Sequence, residues 1–203
     1  MESIVRYTAR DGTEVELSAQ DVVDYVTGGA VKPSEKDVAM LLATFKARGL
    51  NPLAGDCFVT VYKNKRTGET SARITVSRDY WQRVAVTFPT YKGMQAGIAV
   101  ASNGQFCYRV GSMLIPGETL LGGWCEVHDT RWDVPVRQEV SLQEYDQGND
   151  MWAEKPATMI RKVAIAQTLR EAYPSAYAGV YGAEELGTEG VPTDIEEAEY
   201  ETA

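Results

Sequence analysis

The chain has 203 residues, 44% apolar and 24% charged, with 20 basic against 29 acidic side chains and a net charge of −9. That length supports an ordinary globular core without staples, and no apolar run reaches the ~20 residues a membrane span requires. Taken whole, the negative sum argues against a nucleic-acid partner, since phosphate binding needs a basic surface.

In chain order the pattern predicts an α+β fold. Residues 3–8 and 13–17 alternate around Asp11-Gly12, a hairpin signal. Ser18 with Asp21 opens a helix over 19–27, stopped by Gly28-Gly29. Ser34 with Asp37 opens a second helix, 35–48, with Val38, Leu41, Leu42 and Phe45 on one face. Gly49 closes it, and Leu50 sits where a Schellman cap wants an apolar contact. Asn51-Pro52 turns the chain into strands 57–63 and 71–76, joined by a basic loop, and Ser77 starts a helix through Trp81 and Val84. A hairpin follows, 94–101 and 105–110 around Asn103-Gly104, then strands 121–128 and 133–140. Pro156 suits the first turn of a long helix, 156–172, where its missing amide costs nothing. Tyr177 to Tyr181 form a short last element. We expect an ordered domain over 1–186 and an acidic, disordered tail over 187–203.

The acidity is segregated. Residues 184–203 hold eight carboxylates and no Lys or Arg, which leaves 21 acids and 20 bases elsewhere. Residues 1–31 sum to −4 (two basic, six acidic), 32–92 to +6 (eleven basic, five acidic) and 93–154 to −6 (three basic, nine acidic), while 155–170 carry four bases and no acid. Two basic blocks thus lie inside an acidic envelope. The tail itself is a candidate phosphate mimic that competes for a basic groove.

Several chemistries find no residues. Cys57, Cys107 and Cys125 form no CxxC pair, and His128 is the one histidine. A Cys/His zinc site is therefore not expected, and a catalytic triad would have to use a histidine inside the strand-like run Gly123-Trp124-Cys125-Glu126-Val127-His128-Asp129. With no secretory layout in the opening residues, the thiols fit a reducing cytoplasm as small apolar groups. No Gly-x-x-x-x-Gly-Lys or Gly-x-Gly-x-x-Gly occurs, so no nucleotide-phosphate cradle is read. No cofactor or metal is expected. Glu139, Glu144, Asp146 and Asp150 could be proposed as a nuclease carboxylate set, but they read as a solvated loop.

The remaining chemistry is electrostatic and aromatic. Lys63-Asn64-Lys65-Arg66-Thr67-Gly68 sets three cations at one hairpin tip, within reach of a phosphate backbone or simply a solvated turn. Arg73, Arg78 and Arg83 interleave with Tyr80 and Trp81, as in single-strand binders; Trp81 itself reads as core. In the helix 156–172, apolar nearly all round, Arg170 projects into the sector of Met159 and Val163 by the ~100° per residue of a helix. A cation there requires an anion, either a core carboxylate or a bound phosphate. Lys92, Lys155, Arg161 and Lys162 complete the basic candidates.

These residues carry a resemblance. The series Gly49-Leu50-Asn51-Pro52, a Val-Tyr-Lys strand, and Trp81-Gln82-Arg83 begins it. Trp152-x-x-x-Pro156-x-x-Met159-Ile160-Arg161-Lys162-Val163-Ala164-x-x-Gln167-x-x-Arg170-Glu171-Ala172-Tyr173-Pro174, Gly179-Val180-Tyr181 and Glu184-Glu185 complete it. Over about residues 3–186 the chain resembles the RecT/Bet group of phage single-strand annealing proteins, which includes the beta recombinase. The resemblance implies a small twisted antiparallel sheet packed by helices, distantly like the Rad52 annealing core. It also implies an ATP-independent protein that breaks no bond. Such a protein coats single-stranded DNA as rings or helical filaments and pairs it with a complement, in the cytoplasm of a bacterial host. It places DNA-facing cations at Lys63, Arg83, Arg161 and Arg170; Lys65, Arg66, Arg78, Lys92, Lys155 and Lys162 are added here from charge and position. Members often contact a phage exonuclease and the host single-strand binding protein through a C-terminal domain, where this sequence has the acidic tail. The rival reading is a non-enzymatic protein–protein interaction module that binds no DNA.

Overall fold

The computed structural model describes residues 4–27, 31–182, 185 and 195–196. It is a mixed α+β fold of small antiparallel sheets and helices that packs as two compact units. Unit 1 comprises residues 1–80 with 189–203, and unit 2 residues 81–188.

In unit 1, β1 (Ile4–Thr8) and β2 (Glu14–Ser18) pair in the register Tyr7 to Val15. The helix expected over 19–27 is α-helical only at α1 (Ala19–Asp21), capped reciprocally by Ser18 and Asp21. Val22–Val26 then widen into a π-helical turn closed by Thr27 N donating to Val22 O at 3.0 Å. Three of those five residues are valines, whose branched side chains lose freedom against an α-helical turn. The helix α2 (Glu35–Arg48) matches expectation at both ends. Ser34 and Asp37 form its capping box, and Val38, Leu41, Leu42 and Phe45 are buried. Gly49 takes the left-handed conformation (φ 62°), so Gly49 N reaches Lys46 O and Leu50 N reaches Phe45 O at 3.0 Å, the paired bonds of a Schellman cap. Leu50 is fully buried, and its carbonyl accepts the Tyr7 hydroxyl.

After the 3₁₀ turn Pro52–Ala54, β3 (Cys57–Asn64) and β4 (Thr70–Val76) form the second hairpin. One of its faces meets α2, where the Thr70 hydroxyl donates to the Asp37 carboxylate. Most of the tail expected to be disordered lies outside the described residues. Ile195–Glu196 is the exception: it forms β9, pairing antiparallel with the end of β3 as Lys63 to Glu196 and Asn64 to Ile195. An edge strand with unpaired backbone groups offers that ladder to any extended segment.

The helix α3 (Arg78–Ala85) spans the boundary between the units, which falls after Tyr80. Unit 2 is built on β5 (Tyr91–Ser102), β6 (Gln105–Val110), β7 (Glu118–Asp129) and β8 (Val136–Ser141), all antiparallel in the order β6-β5-β7-β8. Short helices α4 (Leu142–Tyr145) and α5 (Asp150–Glu154) lead to α6 (Pro156–Ala172), which lies across β5, β7 and β8. Ile98, Val100, Trp152, Met159, Ile160 and Val163 fuse helix and sheet into one core, as the all-round apolar pattern of α6 demands. The short element expected over 177–181 is instead α7 (Pro174–Tyr177), because Pro174 presets a first helical turn. Trp81 is buried as expected, with its carbonyl accepting the Tyr177 hydroxyl at 2.6 Å.

Gly123 sets how closely α6 approaches the sheet. A Cβ there would lie 2.6 Å from the Ile160 carbonyl oxygen and 3.2 Å from Arg161 N, and neither backbone atom can swing away. Gly123→Ala is expected to push α6 off β7 and lower stability by about 1–3 kcal/mol. A denaturant midpoint equal to wild type would show that the helix yields without strain.

Candidate nucleic-acid interface

The first cationic group lies on unit 1. Asn64 ends β3, and its side-chain oxygen accepts from Arg66 N at 2.9 Å and Thr67 N at 3.1 Å. Gly68, at φ 73°, returns its amide to Asn64 O at 2.8 Å, and Asn64 N meets Glu69 O at 2.9 Å. Four bonds thus stiffen a five-residue turn, and a stiff tip presents Lys63, Lys65 and Arg66, all exposed, without a large ordering cost. Among the described residues no carboxylate pairs with Lys63 or Arg66. Arg78, exposed at the start of α3, pairs with its neighbour Asp79 at 2.8 Å.

The second group lies on unit 2. Lys92 on β5 and Lys155 before α6 are exposed; Arg83, Arg161 and Lys162 are half-buried. What separates the arginines here is the partner each one has. Arg109 meets Glu118, Arg131 meets Asp129 at 2.9 Å, and Arg137 lies between Glu126 at 3.2 Å and Glu139 at 3.0 Å. Arg161 donates from Nε to the Ala96 carbonyl at 3.2 Å, and among the described residues no carboxylate meets it. Its guanidinium is oriented by the sheet backbone and not neutralised by any described residue.

Arg170 has its anion inside the protein. Its Nη1 and Nη2 grip Glu185 Oε1 and Oε2 at 2.9 and 2.7 Å, a two-pronged fork, and Nη2 also donates to Val180 O at 3.1 Å. The guanidinium lies 4.6 Å from the Tyr181 ring centre and 5.4 Å from that of Trp81. The alternative left open by the sequence, carboxylate or phosphate, is filled by a carboxylate from beyond α6. A phosphate at Arg170 would have to displace Glu185.

The carboxylate and thiol chemistry is structural. Arg131 beside Asp129 holds that carboxyl well below the usual range, helped by hydroxyls of Tyr173 at 2.7 Å and Thr90 at 2.9 Å. Burial pushes the Cys57 thiol up to about 12 and Cys125 up to about 11, so neither supplies thiolate near neutrality. His128 pairs with Glu126 at 2.7 Å on β7. Glu139 is not in a loop: it sits on β8 and takes the Tyr108 hydroxyl at 2.7 Å besides Arg137. Among the described residues no cluster of His, Cys, Asp and Glu could hold a metal ion. No helix of the described residues is long and apolar enough to cross a membrane.

The sequence reading missed the network of Tyr108, Trp124, Arg137 and Glu139. Arg137 lies 4.6 Å from the Tyr108 ring centre and 4.9 Å from that of Trp124. Its signal was the alternation within β6, β7 and β8, which becomes contact only once the register sets Trp124 opposite Glu139 and Glu126 opposite Arg137.

The family model described as the RecT family matches residues 20–202. No curated protein matches the chain.

Proposed function

The chain belongs to the RecT family, and on that premise we propose that it binds single-stranded DNA and anneals complementary strands without ATP. The observation behind this reading is the contrast among cations. Arg109, Arg131, Arg137 and Arg170 are neutralised by carboxylates, while Lys63 and Arg66 on a stiffened tip, and Arg161 on α6, have none among the described residues. Cations held in place without an internal anion suit an external one, and DNA supplies phosphates in series.

Annealing breaks no covalent bond, so the protein needs to hold the backbone and leave the base edges open to a second strand. Phosphate contacts by Lys63, Lys65 and Arg66 on unit 1 and by Arg161 and Lys162 on unit 2 do that with little sequence preference, and Arg78 on unit 1 and Arg83, Lys92 and Lys155 on unit 2 add to the cations of their own units. Arg170 belongs to the fastening of Val180, Gly182 and Glu185 in this reading. Residues 1–186 act as the annealing domain, with a Rad52-like core. Copies of the chain coat the strand as a ring or helical filament, and they work in the cytoplasm beside a phage exonuclease and the host single-strand binding protein.

The test is to mix two complementary dye-labelled oligonucleotides with the protein, without ATP or Mg²⁺, and follow pairing against salt. Pairing is expected to accelerate at low salt. Binding should fall linearly on a log–log plot with a slope near −0.7 for each phosphate contacted. A protein-interaction module would bind neither strand at low salt, and that result would overturn the proposal.

A further inference from the structure

The outer face of the β3–β4 hairpin has a composition that phosphate binding alone does not require. The register sets Phe58 opposite Thr75, Thr60 opposite Arg73 and Tyr62 opposite Ser71, all on the face turned away from the buried side chains of Cys57, Val59 and Val61. Phe58, near the open end of the hairpin, is 63% exposed, an unusual setting for a phenyl ring on a strand. Phe58 also lines a cleft of about 280 Å³ together with Tyr25, which is 72% exposed, and with Pro52. Tyr62 and Arg73 are half-buried on the same face. From Cys57 to Val76 the chain holds four cations, Lys63, Lys65, Arg66 and Arg73, against one carboxylate, Glu69.

We propose that this face is a base-stacking platform for single-stranded nucleic acid. One base stacks on Phe58 at the Tyr25 cleft, another on Tyr62, and the backbone passes Arg73 toward the Lys65–Arg66 tip. The inference rests on the DNA-binding reading above and names the part of the strand this face takes. The occupant follows from charge: an apolar protein partner would gain nothing from a hairpin whose charges sum to plus three, whereas a strand offers a π-face and a phosphate at each step. Phe58 and Tyr62 are four residues apart, ~13 Å along a strand that rises ~3.3 Å per residue. That distance spans a few nucleotides at ~3.4 Å each when stacked. Stacking also suits annealing, because a ring that covers the face of a base leaves its pairing edge open.

The experiment compares binding of a thymidine oligonucleotide with that of an abasic oligonucleotide of equal length, for the wild-type full chain, Phe58→Ala and Tyr62→Ala. Wild type should prefer the thymidine strand. Each substitution should weaken thymidine binding by roughly 5- to 150-fold, the range for losing one base–aromatic stack, with abasic binding and the salt slope unchanged. Phe58 contributes no buried core, so its variant should melt with wild type. Equal binding of both strands by wild type overturns the platform but leaves the annealing proposal standing. So does an equal loss on both strands in the variants, which would mean that the rings support structure or self-association. Failure of wild type to bind either strand at low salt overturns the DNA reading itself.

Discussion

Arg170→Ala is expected to unfold at a much lower denaturant concentration than wild type, with a loss of about 3–5 kcal/mol. The Glu185 side chain is 3% exposed and that of Arg170 20%, so their pairing is not screened as a surface pair would be. Glu185 also accepts Gly182 N at 3.1 Å, and Arg170 holds Val180 O, so the pair fastens Val180 and Gly182 to α6. Truncating Arg170 strands a buried carboxylate, costs Val180 O its donor and removes the cation from beside Tyr181 and Trp81. The size of the effect comes from that stranded charge more than from the value of the ion pair. The double variant Arg170→Met, Glu185→Leu should therefore recover much of the loss, since it removes both charges and keeps the volume. Urea unfolding of the three proteins decides the matter. A wild-type midpoint for Arg170→Ala, combined with weakened DNA binding, would assign Arg170 to phosphate.

Arg170 also marks how far the sequence could be read. Its helical position fixed that an anion must face it, because that follows from ~100° per residue and the apolar side chains around it. Which anion depended on where the chain returned after Pro174, and no local rule gives that. The ends of α2 were legible to the residue, since Ser34, Asp37 and Gly49 act on backbone groups within a turn of themselves. The π-helical turn at Val22–Val26 was not, because a single turn of five residues is too short to show a period different from that of an α-helix. Gly122 and Gly123 carried no readable meaning until α6 was seen to lie against Gly123, at a distance only a missing Cβ permits. The basic tip was legible as charge. Its stiffness was not, because that depends on Asn64 folding its side chain back onto Arg66 N and Thr67 N. The net charge of −9 was the least informative number: it sums cations already matched inside the fold with those that are not.

Replacing Lys63, Lys65 and Arg66 together with Ala is expected to weaken single-stranded DNA binding roughly 100-fold at about 0.1 M monovalent salt and to flatten the log–log salt slope by about 2, if each cation meets one phosphate at −0.7 per contact. The two numbers are linked, which makes the expectation strict. Counterions released per contact set the slope, and the same release supplies the affinity that salt removes. All three side chains are exposed on a turn held by backbone and Asn64 bonds, so stability should change by no more than about 0.5 kcal/mol. That separates the triple variant from Arg170→Ala, in which stability is the first casualty. It also separates it from Phe58→Ala, in which affinity falls while the slope holds. Fluorescence anisotropy of a labelled oligonucleotide, titrated at several salt concentrations with melting curves alongside, reads all three. A triple variant with the wild-type slope would mean that the tip lies outside the DNA path. The phosphates would then have to be met by the other cations, with Arg161 and Lys162 on α6 the first to replace.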